Sequence, residues 1–253
     1  EQFDSIVAGV KSGKLAEADL DRNVARILNL IEKSPRYQGY KFSNKPDLKA
    51  HSEVTRQSAA EGMVLMKNEK ALPFAENIKK VALYGITSYD FIAGGTGSGN
   101  VNHAYVVSLL DGMKNGGYTV SEELKNAYET YLVEAKKKAE AELEAKAKKD
   151  PKNAMLVKFL PQPLPAEKLF SADELTAQAG NADVAVITLG RLSGEFLDRQ
   201  VADFNLSDSE RKLIEQVCEV YHKAGKQVVV LLNIGGVIET ASWNALPDAI
   251  LYL

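Results

Sequence analysis

Residues 94–102 (GGTGSGNVN) form the first segment whose composition could do chemistry. Its four glycines permit positive φ angles and close backbone approach, so backbone N–H groups and the hydroxyls of Thr96 and Ser98 could face an oxygen-rich ligand. A phosphate site fits less well, because Asn100 stands where a P-loop needs lysine and where a dinucleotide fingerprint needs its third glycine. The favoured prediction is ligand contact through Ser98 or Thr96, and a purely structural glycine loop or a nucleotide site remain alternatives.

Residues 191–203 (RLSGEFLDRQVAD) form the second such segment, directly after an apolar run. Asp198 and Arg199 are predicted to pair with neighbours and to hold the loop. Glu195 follows Ser193 and Gly194, so flexible backbone should deliver its carboxyl group on an exposed tip. That placement suits a general acid, which must reach the bound ligand.

The remaining candidates are weak. His51, His103 and His222 have no metal-ligand spacing between them, and no metal site is predicted. Cys218 is the only cysteine and lies among apolar residues of an amphipathic segment, so we expect a core thiol. Ser98 lacks the Gly-x-Ser-x-Gly pattern of a nucleophile elbow.

The composition excludes several classes of protein. The 253 residues are 45% hydrophobic and 26% charged, which is typical of a soluble globular chain. A single cysteine rules out a disulfide framework, and no apolar run approaches the roughly 18 residues of a membrane span. The net charge of -3 argues against a nucleic-acid partner. The first residues show no signal-peptide pattern, and the choice between a cytoplasmic and an exported protein stays open.

The elements that must position the two loops follow an α/β pattern. Continuous apolar runs predict strands covered on both faces, as in a parallel sheet. Helical patterns lie between the runs, and the last of them opens on a capping box formed by Ser207 and Glu210. The prediction is a three-layer α/β/α sandwich with a mainly parallel sheet. Strands are expected at residues 80–85, 183–189, 227–233 and 248–253, and helices at residues 53–66, 103–114, 172–179 and 207–223.

The chain outside this pattern divides into three further segments. Residues 1–33 predict two amphipathic helices without a sheet, and residues 34–49 are polar and helix-breaking, typical of a linker. Residues 121–171 interrupt the α/β alternation and are predicted to be a helical insertion in a domain of residues 50–253. Within it we expect a long helix at residues 121–150 and an irregular connector at residues 151–165. The strand at residues 248–253 stops without a cap, so we expect a sandwich that is incomplete there, with a C-terminal edge strand as the alternative.

Four segments in order resemble glycoside hydrolase family 3, and its β-glucosidase branch most of all. They are RQSAAEGMVLMKNEKALPF (residues 56–74), YGITSYDFIAGGTGSGNVN (residues 84–102), GRLSGEFLDR (residues 190–199) and VVVLLNIGGVIE with a following tryptophan (residues 228–243). The resemblance implies a (β/α)8 barrel, a linker and an α/β sandwich, with the active site between the two domains. Residues 1–33 then correspond to the C-terminal helices of the barrel domain. The rest of that barrel domain, which the 253 residues lack, is then an expected partner of this chain.

The family's chemistry implies roles for residues of both loops. The resemblance implies retaining hydrolysis of β-linked oligosaccharides or glycosides by two carboxyl groups. Glu195 matches the position of the general acid/base, with a pKa expected to be raised in the closed site. Ser98 matches a position that contacts the terminal sugar, and Thr96 beside it is predicted to bind substrate as well. No cofactor is implied.

One departure from the family pattern concerns the nucleophile. The family uses an aspartate followed by tryptophan, whereas the only tryptophan here, Trp243, follows Ser242. Asp198 is no substitute, because three residues along one loop would not place it on the opposite face of a sugar ring. We therefore expect this chain alone to be inactive. A non-catalytic carbohydrate-binding or nucleotide-binding α/β module is the alternative function.

Overall fold

The computed structural model describes residues 2–152, 162–196 and 198–253. The chain divides into two compact units, Glu1–Arg56 and Gln57–Leu253. The division lies inside a helix, a few residues beyond the predicted start of the second domain at residue 50. Each unit is described by itself below.

The first unit is helical. Helix α1 (Gln2–Lys11) and helix α2 (Glu17–Glu32) are the two helices that the apolar periodicity predicts, and helix α3 (Leu48–Gly62) begins after a stretch of turns and irregular backbone. None of the residues of these three helices, all of which the structure describes, is buried. The apolar faces of α1 and α2 are therefore open, with Phe3, Ile27 and Leu30 among the exposed side chains.

The second unit is built on a six-stranded sheet. Its strands are β1 (Val64–Asn68), β2 (Lys80–Tyr84), β3 (Thr119–Val120), β4 (Val184–Arg191), β5 (Val228–Ile234) and β6 (Ala249–Tyr252). Their order is β1-β6-β5-β4-β2-β3, with every pair parallel except the antiparallel pair β1–β6. The predicted α/β sandwich with a mainly parallel sheet is confirmed. Strand β6 lies between β5 and β1, so the alternative of an edge strand for residues 248–253 is wrong.

Helices cover both faces of the sheet. Helices α4 (Leu109–Asn115), α5 (Glu122–Lys149), α6 (Ala172–Asn181), α7 (Val201–Phe204) and α8 (Asp208–Lys223) belong to this unit. Side chains of α5, α6 and α8 pack on one face, and α4 packs on the other together with apolar residues of the segment after β1. Strands β4 and β5 are buried almost throughout, which explains their continuous apolar sequence.

Two predicted helices begin or end at different residues. The helix predicted for residues 53–66 ends at Gly62, and Val64–Asn68 forms strand β1 because these residues pair with β6. The helix predicted for residues 103–114 begins only after Ser108, whose side chain accepts a hydrogen bond from the backbone N–H of Asp111 in a capping box. Strand pairing therefore ends the first helix before its predicted end, and the capping box starts the second helix after its predicted start.

The long helix predicted at residues 121–150 is present as α5 (Glu122–Lys149), and its two halves differ. Leu124, Tyr128 and Leu132 are buried against the sheet side, whereas most of the second half is exposed apart from Ala147. The Tyr128 hydroxyl accepts a hydrogen bond of 2.8 Å from the backbone N–H of Gly85, at the end of β2. The first half of the predicted insertion is therefore part of the core.

Part of the connector predicted for residues 151–165 lies outside the described residues, namely residues 153–161. Residues 162–165 are irregular, as predicted. Among the helices that the structure describes, none is long and apolar enough to cross a membrane.

Candidate active site

The two loops singled out by composition meet at the carboxyl edge of the parallel sheet. We name residues 94–102 the glycine loop and residues 191–203 the Glu195 loop. The Glu195 loop starts at the last residue of β4, and the glycine loop follows β2 after a 3₁₀ turn at Ile86–Ser88. Ligands of open parallel sheets bind at this edge, so the fold places both loops where a site is expected.

Glu195 and Ser98 are in direct contact across the two loops. Oε2 of Glu195 accepts a hydrogen bond of 2.8 Å from the backbone N–H of Ser98, and Oε1 accepts one of 2.9 Å from the Ser98 hydroxyl. Both residues are exposed. The structure therefore brings together the predicted acid/base and the predicted sugar contact.

These hydrogen bonds favour the ionised form of Glu195. Donation from the Ser98 backbone N–H, and then from its hydroxyl, lowers the pKa of the Glu195 carboxyl from its ordinary value. The direction is opposite to the raised pKa that a general acid in a closed site is expected to have. The two hydrogen bonds from Ser98 thus act against protonation of Glu195.

Thr96 is bonded to the Glu195 loop on both sides of Gly194. Its backbone N–H donates to the Ser193 carbonyl at 2.8 Å, and its hydroxyl donates to the Glu195 carbonyl at 2.9 Å. Thr96 and Gly194 form an isolated parallel β-bridge. The Glu195 carboxyl group is exposed as predicted, but the backbone that carries it is held by these bonds.

Glycines allow the two loops to approach this closely. Gly97 has a φ of +65°, and a Cβ there would lie 2.3 Å from Oε2 of Glu195. Gly194 has a φ of +136°, and a Cβ there would lie 2.5 Å from the backbone nitrogen of Thr96. A side chain at either position would separate the loops.

Two glycines that follow β5 leave room for side chains of the Glu195 loop. A Cβ at Gly235 would lie 2.1 Å from Oγ of Ser193, and one at Gly236 would lie 2.4 Å from Nη1 of Arg199. Asn233, at the end of β5, exchanges hydrogen bonds with the backbone of Ile92, which leads into the glycine loop. Asn233 is not among the residues that the sequence predicts to position the glycine loop. The signal for it is a polar residue at the end of the apolar run QVVVLLN.

Ion pairing and backbone contacts fix the two ends of the Glu195 loop. The guanidinium of Arg191 pairs with the carboxylate of Glu210 at the start of α8, and its Nε donates to the Asp203 carbonyl at 2.8 Å. Arg199 also donates to the Asp203 carbonyl, at 2.8 Å, in keeping with the predicted role in holding the loop. The Asp198 carbonyl accepts a hydrogen bond from Gln200.

An open cavity of about 700 Å³ lies behind the Glu195 loop. It is lined by residues of that loop, by Pro163 and Leu164, and by Glu167. Glu167 is buried and accepts a hydrogen bond of 3.0 Å from the backbone N–H of Ile86. Burial raises the pKa of its carboxyl group to about 8, so at neutral pH this residue is mostly protonated.

Among the other candidates, His103 directly follows the glycine loop, and a Cβ at Gly94 would lie 3.6 Å from its Nε2, whereas Cys218 and His222 lie in helix α8. Cys218 is buried in α8, and burial raises the pKa of its thiol to about 12, which agrees with the predicted core role. His222 contacts the carboxylate of Asp248 at 3.0 Å. In the described part of the chain, no three or more histidine, cysteine, aspartate or glutamate side chains are grouped so as to hold a metal ion.

Known proteins resemble the chain over most of its length. Residues 63–253 match the glycosyl hydrolase family 3 C-terminal domain. β-Glucosidase 3B from Thermotoga neapolitana, solved in complex with glucose, superposes with a TM-score of 0.80 and 40% identity over 98% of this chain and 33% of that one.

Two curated relatives extend the comparison. β-Glucosidase A of Butyrivibrio fibrisolvens is 28% identical over 227 residues, which cover 79% of this chain and 24% of that protein. An exo-α-(1→6)-L-arabinopyranosidase of Bifidobacterium breve is 27% identical over 253 residues, covering 95% and 28%. The chain thus spans about a quarter to a third of the length of these proteins. The matched domain and the α/β fold agree, and the chain belongs to glycosyl hydrolase family 3.

Proposed function

We propose that this chain supplies the general acid/base and part of the sugar-binding subsite of a retaining, exo-acting β-glycosidase. The observation that carries the proposal is the exposed Glu195 carboxyl group at the carboxyl edge of the sheet, bonded through both oxygens to Ser98. A β-linked glycoside is the substrate class, in keeping with the β-glucosidase names of several relatives. The arabinopyranosidase relative keeps the identity of the sugar open.

In the proposed mechanism, Glu195 acts twice. As an acid it protonates the leaving oxygen while a carboxylate nucleophile attacks the anomeric carbon, and as a base it then activates the water that releases the sugar. The nucleophile comes from a barrel domain outside the 253 residues and must lie about 5 Å from Glu195. Closure of the site by that domain would remove water from Glu195 and raise its pKa, which the acid step requires.

We assign the direct sugar contact to Ser98. Its hydroxyl is exposed and has lone pairs free to accept a hydrogen bond from a sugar while it donates to Glu195. The Thr96 hydroxyl is half-buried and donates to the backbone of the Glu195 loop, so it is the weaker of the two predicted contacts.

The Glu195 carboxylate beside the glycine loop disfavours the nucleotide-binding alternative. A phosphate would need the free N–H groups of the glycine loop, but the Ser98 N–H is donated to the Glu195 carboxylate. A phosphate placed there would meet a like charge within hydrogen-bonding distance.

The test is Glu195→Gln in the complete polypeptide that contains these residues. We expect turnover of substrates with poor leaving groups, such as cellobiose, to fall by about 10²-fold or more, since general acid catalysis contributes that much. Added azide should partly restore turnover of aryl glycosides with activated leaving groups.

Asp198→Asn is the matched control, because it neutralises a carboxylate of the same loop and should keep most of the activity. Turnover of cellobiose by Glu195→Gln at the rate of the unsubstituted protein would remove Glu195 from the acid/base role. Sugar binding with no effect of Glu195→Gln and no hydrolysis would favour the non-catalytic carbohydrate-binding module.

A further inference from the structure

We propose that Thr96 is a positioning residue for Glu195, holding the peptide bond after Glu195 in the orientation that presents its carboxyl group. This inference rests on the proposed function of Glu195 and replaces the prediction that Thr96 contacts the substrate. It assigns to the glycine loop a second role, besides sugar contact, that acts through the backbone of the neighbouring loop.

The first argument is the pair of hydrogen bonds that Thr96 makes around Gly194. Its backbone N–H reaches the Ser193 carbonyl and its hydroxyl reaches the Glu195 carbonyl, so the peptide bonds before Gly194 and after Glu195 are both held from one residue. Gly194 has a φ of +136°, a backbone conformation that residues other than glycine rarely adopt. The two bonds therefore restrain a segment that glycine would otherwise leave free.

The second argument is the strained residue that follows Glu195. Phe196 has a φ of +81°, in the left-handed region that is unfavourable for a bulky side chain, and its ring is exposed. Such a conformation persists only where the surroundings hold it. The Glu195 carbonyl belongs to the peptide bond between these two residues, so the Thr96 hydroxyl acts directly on the strained position.

The third argument is that Thr96 and Ser98 contact different parts of Glu195. Thr96 is half-buried and bonds only the backbone of the Glu195 loop in the hydrogen bonds described above, whereas Ser98 is exposed and bonds the carboxylate itself. Without the Thr96 hydroxyl, we expect the peptide plane after Glu195 to turn about its flanking single bonds and the carboxyl group to move away from Ser98. Displacement of a catalytic group by about 1 Å is enough to cost up to 10²-fold in rate.

The variants that test this are Thr96→Val and Thr96→Ser. Valine keeps the shape of threonine and removes the hydroxyl, and serine keeps the hydroxyl and removes the methyl group. Thermal unfolding of both variants followed by circular dichroism checks that the fold is kept. Thr96→Ser should behave as the unsubstituted chain in both measurements below.

The first measurement needs no catalytic activity and uses the 253-residue chain. The Ser98 amide donates to Glu195, so its proton and nitrogen chemical shifts should titrate with the Glu195 carboxyl group between acidic and neutral pH. In Thr96→Val we expect the Ser98 amide to lose most of this pH-dependent shift. A Ser98 titration that is the same in Thr96→Val as in the unsubstituted chain would overturn the proposal.

The second measurement is kinetic and uses the complete polypeptide. We expect Thr96→Val to lower kcat for cellobiose about 10-fold, since part of the general acid contribution is lost, with little change for an activated aryl glycoside or in KM. Thr96→Ser should restore kcat. A rise in KM that is equal for both substrates would instead make Thr96 a sugar contact and overturn the positioning role.

Failure of this inference and failure of the proposed function are distinguishable. If Glu195→Gln leaves cellobiose turnover intact, the acid/base assignment fails whatever Thr96 does. If Glu195→Gln is impaired while Thr96→Val has both a normal Ser98 titration and normal kinetics, the acid/base assignment stands and the positioning role of Thr96 is wrong.

Discussion

The ionisation of Glu195 depends on its contact with one serine. Two hydrogen bonds from Ser98 lower the pKa of the carboxyl group, whereas the proposed acid step needs a protonated group. The same carboxyl group must therefore change its environment between the state seen here and the state that protonates a leaving oxygen. Because Glu195 is exposed, water removal and a nearby negative nucleophile would both act in the required direction.

The pKa of Glu195 should respond to Ser98→Ala. The substitution removes the hydroxyl donor and keeps the amide donor, so we expect the pKa to rise part of the way towards its ordinary value. A carboxyl group with a lowered pKa stabilises the fold above its unfolded-state pKa, and this contribution is lost as the pH falls through the folded-state pKa. In Ser98→Ala this contribution should therefore be smaller, and its loss should be complete at a higher pH.

The measurement is the carboxyl ¹³C chemical shift of Glu195 as a function of pH. Ser193→Ala is the control, because the Ser193 side chain faces Gly235 and only its backbone contacts Thr96. We expect that control to leave the pKa unchanged. An unaltered pKa in Ser98→Ala would mean that the hydroxyl has no part in the effect.

At the scale of residues, the sequence indicates candidate side chains but not the contacts that they make. Composition and family resemblance point to Ser98 and Glu195, yet these residues are 97 positions apart and no local pattern encodes their hydrogen bonds. The Thr96 hydroxyl, which is predicted to bind substrate, donates to the backbone carbonyl of Glu195, a contact that no local pattern indicates. The Arg191–Glu210 pair was missed because Glu210 was recognised only as the second residue of a capping box.

At the scale of elements, the junction of strand β2 with the following turn positions the glycine loop. Gly85 has a φ of +90°, and a Cβ there would lie 2.1 Å from the carbonyl oxygen of Thr188 in the neighbouring strand β4. The Tyr128 hydroxyl from α5 accepts the Gly85 N–H. Strand β4 and helix α5 therefore both contact Gly85, and the close approach of β4 leaves no room for a side chain there.

Gly85→Ala should destabilise the second unit. Both the left-handed backbone and the clash with β4 act against the folded state, so we expect the free energy of unfolding to fall by about 2–4 kcal/mol. Urea unfolding followed by tryptophan fluorescence measures this, because the only tryptophan, Trp243, is buried in the same unit.

Gly180→Ala is the matched control for Gly85→Ala. Gly180 lies in helix α6, and a Cβ there would meet nothing within 4 Å. Alanine should stabilise that helix by up to about 1 kcal/mol through its better helix propensity. Equal effects of the two substitutions would contradict the assigned role of Gly85.

The central strands were predictable because they are buried on both faces. Their runs of aliphatic residues carry the signal without any knowledge of neighbours. Strands β1 and β3 were missed, since β1 is largely exposed and β3 has two residues. Their existence depends on pairing with β6 and β2, which a local pattern does not contain.

At the scale of the whole molecule, the proposed function has this chain provide one carboxyl group of a reaction that needs two. It spans about a third of the length of the Thermotoga neapolitana enzyme that it resembles. In the described part of the chain, Glu195 is the carboxyl group bonded to Ser98, and Asp198 follows it on the same loop. Two residues of one loop cannot flank a sugar ring, so the proposed mechanism needs a nucleophile from another domain.

The 253-residue chain by itself should therefore not hydrolyse aryl β-glucosides. The acid/base alone leaves the anomeric carbon without a nucleophile, and the family's aspartate–tryptophan motif is absent from the sequence, whose only tryptophan follows Ser242. Release of 4-nitrophenol from its β-glucoside measures this, with the complete polypeptide as the positive control. Appreciable hydrolysis by the purified chain that persists in Glu195→Gln would contradict both the need for a second domain and the role of Glu195. Hydrolysis that Glu195→Gln abolishes would contradict only the first, and would place a nucleophile among these residues.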